Sequence, residues 1–412
     1  MRKAWIILLV LVLCLQASAG AADGAYDQAA LEKAIEENRV ALTEMDMSST
    51  GTISWISVSP KGAYLLGCDE NVGNRFGSTQ FYLYRVSDGE LIPLQIDRSG
   101  DRYNKLQNMD VRGNHVTWSC DEAHFAFDGY QGILTGYACD LVIGDVDKGT
   151  IGVAQAWNGP MAFLSKGAAT VYQACFHPDD PDTLYYSLYG AYPSEEYGSD
   201  YMMMVYDLRT GKSEALYSNH WNERGMDISC DKPCMVVMRD GSIIQVCSAA
   251  NGDYGLSVTF RQDNGKWNGY LMGLSGDGVP RIIVSGSDLF TIRYVGGLSI
   301  TTELYSCADH MVTQVDLGGS AGMNLVVSEN GPFVLSLHEG DGTAEIALRS
   351  VDHPDRRTVC GELAHERMMP MVGQGNTNYL SLIADGIVWG GDIVLLNSYG
   401  TVDLVYRLEM VE

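Results

Sequence analysis

The stretch VSPKGAYLLGCDENVGNRFGSTQFYLYRVSDGELIPL, residues 58–94, forms one complete unit of the predicted fold together with the β-rich run ISWIS (53–57) that precedes it. It opens with a short turn, SPKG, which lies between two β-rich runs. It ends with two further β-rich runs, FYLYRV and ELIPL, around the turn SDG. Apolar runs on both sides of a glycine turn are typical of β-hairpins. The unit therefore predicts four consecutive antiparallel strands, which we name a to d.

Both turns of this unit return along the chain. The first turn returns as WSCDE (118–122), FHPDD (176–180), ISCDK (228–232), LSGDG (274–278), VSENG (327–331) and IADG (383–386). The second returns within LVIGDVDKGTIGVA (141–154), MVYDLRTGKSEALY (204–217), IIQVCSAANGDYGLSV (243–258), ELYSCADHMVTQVDL (303–317), IALRSVDHPDRRTVC (346–360) and IVLLNSYGTVDLVY (393–406). Four-stranded units of about 50 residues are typical of propeller blades. The sequence therefore predicts an all-β, seven-bladed β-propeller, and uneven spacing leaves six or eight blades as alternatives.

These turns and hairpins also resemble a known family. The turns SPKG, HPDD and SGDG, with the hairpins YDLRTGK and YRVSDGE, resemble the WD40-like propeller repeats of the TolB type, over about residues 50–408. The WD dipeptides of the eukaryotic repeat are absent. The resemblance implies a fold and transfers no active-site residue.

The N-terminus predicts a Sec-type signal peptide over residues 1–21. Arg2 and Lys3 precede an apolar run, and QASAGAA (16–22) offers small residues for cleavage. The run is short for a membrane span, and no other stretch is long enough. We therefore expect an exported protein without a membrane span, in the extracellular space, the cell envelope or the periplasm. The stretch LVLC (11–14) leaves a lipid anchor as an alternative.

A helix with its lead-in is expected over residues 22–49, before a propeller over 50–412. Residues 26–45 carry an apolar stripe with helical spacing, and Glu and Lys cover the other faces. The stripe consists of Leu31, Ile35, Leu42 and Met45. How the ring closes is left open, with residues 48–52 as a candidate outer strand.

Composition limits the partners. Acidic residues outnumber basic ones by 52 to 27, for a net charge of −25, which disfavours binding to nucleic acid and anionic membranes. No Gly-rich loop opens a helix and no HExxH is present, so we expect no cofactor, no metal and no identifiable catalytic residue. GGSAG (318–322) matches a nucleophile-elbow pattern but lies in an all-β repeat. The oligomeric state and the pairing of the cysteines stay open.

Blade topology predicts where a ligand binds. The a–b and c–d turns share one face, the turn face, and the b–c and d–a connections share the opposite one, the loop face. The d–a connections are expected to carry a repeated Trp-Asn, in AWNGP (156–160), HWNER (220–224) and KWNGY (266–270). The b–c connection of blade 3 is rich in tyrosine and acidic residues, and that of blade 7 is expected at WGGD (389–392). The predicted ligand-binding residues are Trp157, Trp221, Trp267, Tyr189, Tyr192, Tyr197 and Tyr201.

Two functions follow from this arrangement. Aromatic rings stack on sugars, cations and apolar groups, which favours a non-catalytic module for a glycan, peptide or protein. The alternative is a carbohydrate-active lyase or hydrolase, with acid and base groups among Glu195, Glu196, Asp200 and Asp227. For each Trp, packing between adjacent blades is the competing interpretation.

Overall fold

The computed structural model confirms the seven-bladed β-propeller. Its strands form seven sheets, and each sheet is one blade. The structure describes residues 27–69, 80–97, 109–110, 116–133, 136–155, 170–189, 201–218, 235–248, 253–274, 276, 278–285, 288–296, 299–317, 324–328, 331–339, 343–364, 387–398 and 402–411.

The described chain begins with helix α1 (Gln28–Glu36), strand β1 (Val40–Glu44) and a 3-10 turn over Ser48–Thr50. The predicted helix over residues 26–45 is therefore too long. Asn38 adopts the left-handed backbone conformation, with φ of 54°, and ends the helix. Beyond it the apolar stripe continues as the alternating side chains of a strand. The expected extra strand at residues 48–52 is wrong, because β1 takes that role.

The first two blades follow directly. Blade 1 consists of β2 (Ser54–Val58), β3 (Tyr64–Asp69), β4 (Gln80–Arg85) and β5 (Glu90–Pro93). Blade 2 consists of β6 (Gln95–Ile96), β7 (Met109–Asp110), β8 (Thr117–Trp118), β9 (His124–Ile133), β10 (Gly136–Asp145) and β11 (Thr150–Gln155). Blade 2 departs from the four-stranded expectation, because two short strands, β7 and β8, both pair with β9, and β6 adds a parallel outer edge.

Blades 3 to 5 each have four strands in chain order. Blade 3 consists of β12 (Thr170–His177), β13 (Asp180–Tyr189), β14 (Tyr201–Asp207) and β15 (Lys212–Ser218). Blade 4 consists of β16 (Met235–Val237), β17 (Ile243–Ser248), β18 (Tyr254–Arg261) and β19 (Trp267–Gly273). Blade 5 consists of β20 (Val279–Ser285), β21 (Leu289–Gly296), β22 (Ser299–Ala308) and β23 (Met311–Val315).

The last two blades complete the ring. Blade 6 consists of β24 (Asn324–Val327), β25 (Phe333–Glu339), β26 (Thr343–Ser350) and β27 (Arg357–Ala364). Blade 7 takes three strands from the C-terminus, β28 (Ile387–Gly390), β29 (Ile393–Ser398) and β30 (Val402–Met410). Its fourth, outermost strand is β1, which pairs antiparallel with β30. Both ends of the described chain thus meet in one sheet.

The core is divided into seven hydrophobic clusters, one at each seam between adjacent blades. The cluster of the blade 6–7 seam also buries Leu31 and Ile35 of α1 and takes up Leu42 of β1. On the inner side, Trp118 of β8 donates a hydrogen bond from Nε1 to Ser57 Oγ of β2 at 3.0 Å, which joins blades 1 and 2. Burial of apolar surface at every seam makes the ring a single closed scaffold.

Blades 4 and 7 are shifted by one strand from the sequence prediction. In blade 4 the a–b turn lies at residues 238–242, and KWNGY leads into the outermost strand β19. LSGDG was predicted as the a–b turn of blade 5, and it instead follows β19 and leads into that blade, whose first hairpin is β20–β21. In blade 7 the a–b turn lies between Gly390 and Ile393, so the hairpin of residues 393–406 is b–c. ISCDK and IADG precede the innermost strands of these blades and lie outside the described residues.

Candidate functional site

Two of the predicted aromatic residues lie at the loop-face end of blade 3. Tyr189 and Tyr201 are backbone partners at the ends of β13 and β14, where the chain leaves blade 3 and returns to it. Four of the predicted residues lie in segments 156–169, 190–200 and 219–234, outside the described residues. These four are Trp157, Trp221, Tyr192 and Tyr197.

The strands that flank these segments fix where each one starts and finishes. Segment 156–169 joins β11 to β12, 190–200 joins β13 to β14, and 219–234 joins β15 to β16. All six strand ends belong to the b–c and d–a connections of three consecutive blades. The candidate site is therefore the loop face of blades 2 to 4. The predicted acidic residues Glu195, Glu196, Asp200 and Asp227 belong to the same segments.

Trp267 does not belong to this face, so its prediction as a loop-face residue is wrong. It begins β19 directly after the c–d turn of blade 4. Its ring packs against Tyr217 of blade 3, with the ring centroids 5.0 Å apart. It joins the cluster that holds Met203 and Met235 at the blade 3–4 seam. The competing interpretation, packing between adjacent blades, is the correct one for this Trp.

The motif WGGD was also predicted on the loop face, and it lies in the a–b turn of blade 7 instead. Trp389 is buried and donates from Nε1 to the carbonyl of Gly391 at 2.9 Å. The N–H of Gly391 donates to the carbonyl of Pro60 in blade 1 at 2.8 Å. The motif thus fastens blade 7 to blade 1 on the turn face.

Further bonds cross the seams on the turn face. The buried Glu122 of blade 2 accepts from the N–H of Lys61 in blade 1 at 2.8 Å. Arg239 of blade 4 lies 3.2 Å from a carboxylate oxygen of Asp179 in blade 3 and 3.1 Å from one of Asp288 in blade 5. These bonds engage the a–b turns themselves, so this face holds the ring together.

One group of side chains on the turn face has the composition of a catalytic triad. It consists of Asp240, Ser242 and His310. Ser242 Oγ lies 2.9 Å from His310 Nδ1, and Asp240 Oδ2 lies 3.3 Å from the same nitrogen. A proton relay needs the serine and the carboxylate on different ring nitrogens. Ser242 is also fully buried. The arrangement therefore fastens blade 4 to blade 5 rather than activating a nucleophile.

Asp240 is fixed by the backbone as well. It accepts from the N–H of Ser242 at 2.9 Å and from the N–H of His310 at 2.6 Å. Burial alone would raise the pKa of Asp240, but these hydrogen bonds lower it overall. The imidazole of His310 stacks on Phe260 with centroids 4.3 Å apart, which completes the packing of this turn.

Six cysteines whose side chains the structure describes are free thiols and mostly buried, namely Cys68, Cys120, Cys175, Cys247, Cys307 and Cys360. Burial raises the pKa of Cys247 to about 11 and that of Cys307 to about 12, so both stay protonated near neutral pH. Cys230 and Cys234, whose spacing would allow a bridge across a tight turn, lie outside the described residues.

Two stretches rich in His, Asp and Glu, HEGDG (338–342) and HPDDPD (177–182), have partners within the protein where the structure describes them. His338 Nε2 lies 2.9 Å from Ser336 Oγ. Asp180 accepts from the N–H of Asp182 and the hydroxyl of Thr183, within its own turn. Within the described part of the chain, no group of three or more His, Cys, Asp or Glu side chains is placed to hold a metal ion.

Gln173 is a seam residue that the sequence analysis missed. Its side-chain amide donates to the carbonyl of Met235 at 2.9 Å and accepts from the N–H of Met235 at 2.7 Å. The amide thereby acts like a short strand edge between blades 3 and 4. An amide inside the apolar run TVYQACF (170–176) was the available sequence signal.

Comparison with known proteins gives the fold and no more. No protein-family model matches the chain, and no curated protein matches it by sequence. Oligogalacturonate lyase from Vibrio parahaemolyticus is 12% identical, with 90% of this chain and 98% of that chain covered and a TM-score of 0.50. TolB from Acinetobacter baumannii is 13% identical, with 76% and 64% covered and a TM-score of 0.38. Prolyl oligopeptidase B from Galerina marginata is 11% identical, with 88% and 48% covered and a TM-score of 0.49.

The similarity of this chain to these solved structures is one of fold alone. The TolB-type resemblance of the turns implied a propeller, and that fold is present. The chain spans less than two thirds of the Acinetobacter TolB and less than half of prolyl oligopeptidase B. Among the described residues, no helix is long and apolar enough to cross a membrane.

Proposed function

We propose that this protein is an exported, non-catalytic binding module that recognises a glycan, peptide or protein partner through the loop face of blades 2 to 4. One observation carries the proposal. The strand ends around segments 156–169, 190–200 and 219–234 all belong to one face of three consecutive blades. This shared face supports the proposal that the aromatic and acidic residues of these segments act together.

The scaffold supports this role because it is closed and cross-linked. β1 pairs with β30 over five residue pairs, and every seam has its own hydrophobic cluster. Loops that are anchored on a rigid framework are the usual position of binding residues. The turn face, by contrast, uses its short turns for bonds between blades.

The net charge of the protein limits the chemical class of the partner. With a net charge of −25, the protein favours a neutral glycan or a cationic peptide over an anionic polymer. Stacking on aromatic rings and hydrogen bonding to carboxylates suit both of these ligands.

The test is a binding screen of the mature chain, residues 22–412, on glycan and peptide arrays, followed by affinity measurement on the best ligand. The double variant Trp157→Ala/Trp221→Ala is expected to bind at least ten-fold more weakly while it unfolds at the wild-type temperature. Trp267→Phe is the matched control, because that Trp packs at a seam, and it is expected to bind like wild type. A folded double variant with wild-type affinity would overturn the proposal, as would the absence of any ligand on the arrays and in pull-downs.

The alternative function, a carbohydrate-active enzyme, uses the same surface. The acidic residues Glu195, Glu196 and Asp200 share segment 190–200 with Tyr192 and Tyr197, which keeps this alternative open. Incubation of the mature chain with oligogalacturonate and with each glycan bound on the array tests it. Turnover that is lost in Glu195→Gln/Glu196→Gln would replace the binding module with the enzyme.

A further inference from the structure

Glu303 of blade 5 is held in place by two buried phenols. The hydroxyl of Tyr294 donates to Glu303 Oε2 at 2.7 Å, and that of Tyr305 donates to the same oxygen at 2.6 Å. Tyr294 is 1% exposed and Tyr305 is 3% exposed, whereas Glu303 is half-buried. The second oxygen, Oε1, receives no hydrogen bond from a described residue. One side of the carboxylate is thus fixed and the other side is left for a donor.

The phenols remain donors over a wide pH range. Burial, and after it the hydrogen bond to Glu303, raises the pKa of Tyr294 and of Tyr305 above the ordinary tyrosine value. Tyr305 is further fixed by stacking on Phe290, with ring centroids 5.4 Å apart. The carboxylate therefore has a defined orientation before any ligand arrives, which limits the entropy lost on binding.

This network differs from the bonds that fasten the blades together. Glu303, Tyr294 and Tyr305 all belong to β21 and β22 of one blade. The bonds of Gln173, Trp118 and Arg239 each cross a seam. The two phenols need only a hydrogen-bond acceptor. A neutral side chain could be that acceptor without the desolvation cost of a half-buried charge. The charge of Glu303 therefore calls for an explanation other than holding the blades together.

The cluster that contains both phenol rings is partly exposed at its blade 4 edge. The cluster that contains Tyr294 and Tyr305 is flanked by four half-buried residues of blade 4, which are Tyr254, Tyr270, Met272 and Leu274. Tyr270 is fixed across the seam, because its hydroxyl donates to the carbonyl of His310 at 3.1 Å and accepts from the N–H of Val312 at 2.9 Å. A carboxylate that is held by two phenols of this cluster matches a cation that is carried on an apolar stem.

We propose that Glu303 anchors a binding site for an organic cation, an ammonium or guanidinium group on an apolar stem, at the blade 4–5 seam. The cation donates to Oε1, while Tyr294 and Tyr305 act as positioning residues through Oε2. The apolar stem of the cation contacts half-buried apolar side chains of β19, such as the unbranched side chain of Met272. The strongly negative protein raises the local concentration of such cations. This site is separate from the loop face of blades 2 to 4 and does not depend on the proposed function.

The test is a titration of the mature chain with three probes, N-acetyl-lysine methylamide, N-acetyl-arginine methylamide and n-butylamine, at constant ionic strength. Tyrosine difference absorbance reports binding near Tyr294 and Tyr305. N-acetyl-norleucine methylamide is the neutral control and is expected to give no saturable signal. Equal binding of butylamine and the lysine derivative points to free amines, and binding of the amino-acid derivatives alone points to a side chain of a polypeptide partner.

Variants distinguish the effect of the Glu303 carboxylate on cation binding from that of the overall negative charge. Glu303→Gln keeps the size of the side chain and an acceptor for the phenols, and is expected to weaken cation binding at least ten-fold. Glu214→Gln is the control, because Glu214 is an exposed carboxylate on the outer strand of blade 3, and it is expected to leave affinity unchanged. Tyr305→Phe is expected to weaken binding several-fold, since Glu303 keeps its charge but loses a positioning bond.

Two results would overturn the proposal. One is a folded Glu303→Gln variant that binds the lysine derivative as tightly as wild type. The other is a wild-type titration in which the lysine and norleucine derivatives behave alike. Should Glu303→Gln fail to fold, Glu303→Asp retains the charge and withdraws it by one methylene, and unchanged affinity in that variant contradicts the site.

Discussion

The hydroxyl of Thr43 donates a hydrogen bond to Glu409 Oε2 at 2.8 Å, between residues 366 positions apart in the chain. This bond lies on the strand pair that closes the ring, in which β1 runs antiparallel to β30. The outermost strand of the last blade thus comes from the N-terminal end of the described chain. Closure of this kind makes the stability of the ring depend on a five-residue strand.

Ring closure predicts that Leu42 is important for stability. Leu42 packs against the blade 6–7 cluster and lies close to Gly361 of β27. Leu42→Asp places a charge in this contact, so we expect the free energy of unfolding to fall by about 2 kcal/mol or more. Thr43→Ala, on the exposed side of the same strand, is the control and is expected to change it by less than about 1 kcal/mol. Equal losses in chemical denaturation would contradict this role of β1.

The amide of Gln173 predicts a second stability effect. Gln173→Leu removes both partners of the Met235 backbone at the inner side of the blade 3–4 seam. An unsatisfied buried polar group costs about 1–3 kcal/mol. We therefore expect a loss of that size in equilibrium unfolding, with ligand affinity at the loop face unchanged. A variant as stable as wild type would show that the two bonds contribute nothing measurable.

Trp267 distinguishes packing from binding. Trp267→Ala removes the ring that packs against Tyr217, and we expect it to lower the free energy of unfolding by about 2–3 kcal/mol. Ligand affinity, measured well below the unfolding temperature, is expected to stay within two-fold of wild type. A stable Trp267→Ala protein that no longer binds the ligand would show that this residue contributes to binding.

The blade count was predictable from sequence because every blade contains hairpins of recognisable form. The position of a hairpin within its blade, either b–c or c–d, was harder to predict from sequence. The stretch IIQVCSAANGDYGLSV has two β-rich runs around a glycine turn, whether it is b–c or c–d, and only packing around the ring shows that it is b–c. Likewise, the stripe through Leu42 fits a helix until the left-handed Asn38 interrupts it.

The strands β13 and β14, which end at the candidate site, were predictable from sequence, whereas the position of Trp267 was not. Tyr189 and Tyr201 lie at the predicted loop-face rim of blade 3, since the two strands they end were assigned correctly. Trp267 was misplaced because the shift of blade 4 moved its Trp-Asn motif into β19. The Glu303 network was not foreseeable, because the convergence of Tyr294 and Tyr305 on one oxygen depends on the register of β21 and β22.

His338 predicts a pH dependence of stability. Burial, followed by the charges of Arg357 and Arg349, lowers the pKa of His338 below its ordinary value near 6.5. The unfolded chain therefore binds this proton more tightly than the folded one. The stability contributed by neutral His338 is fully present above that ordinary value and is lost as pH falls through the lowered pKa of the folded protein.

Thermal unfolding between pH 7.5 and pH 5 tests this sign. The unfolding temperature of wild type is expected to fall more steeply towards pH 5 than that of His338→Gln, which has no proton to bind at this position. Parallel curves for the two proteins would remove His338 as a source of the pH dependence.

The most direct test of the central claim is a hydrogen-exchange footprint of the mature chain, with and without the ligand identified on the arrays. Binding at the loop face of blades 2 to 4 predicts slower exchange in peptides that cover residues 156–169, 190–200 and 219–234, with unchanged exchange in the turns at 58–62 and 238–242. Protection confined to the turn face, with no change in those three segments, would contradict it.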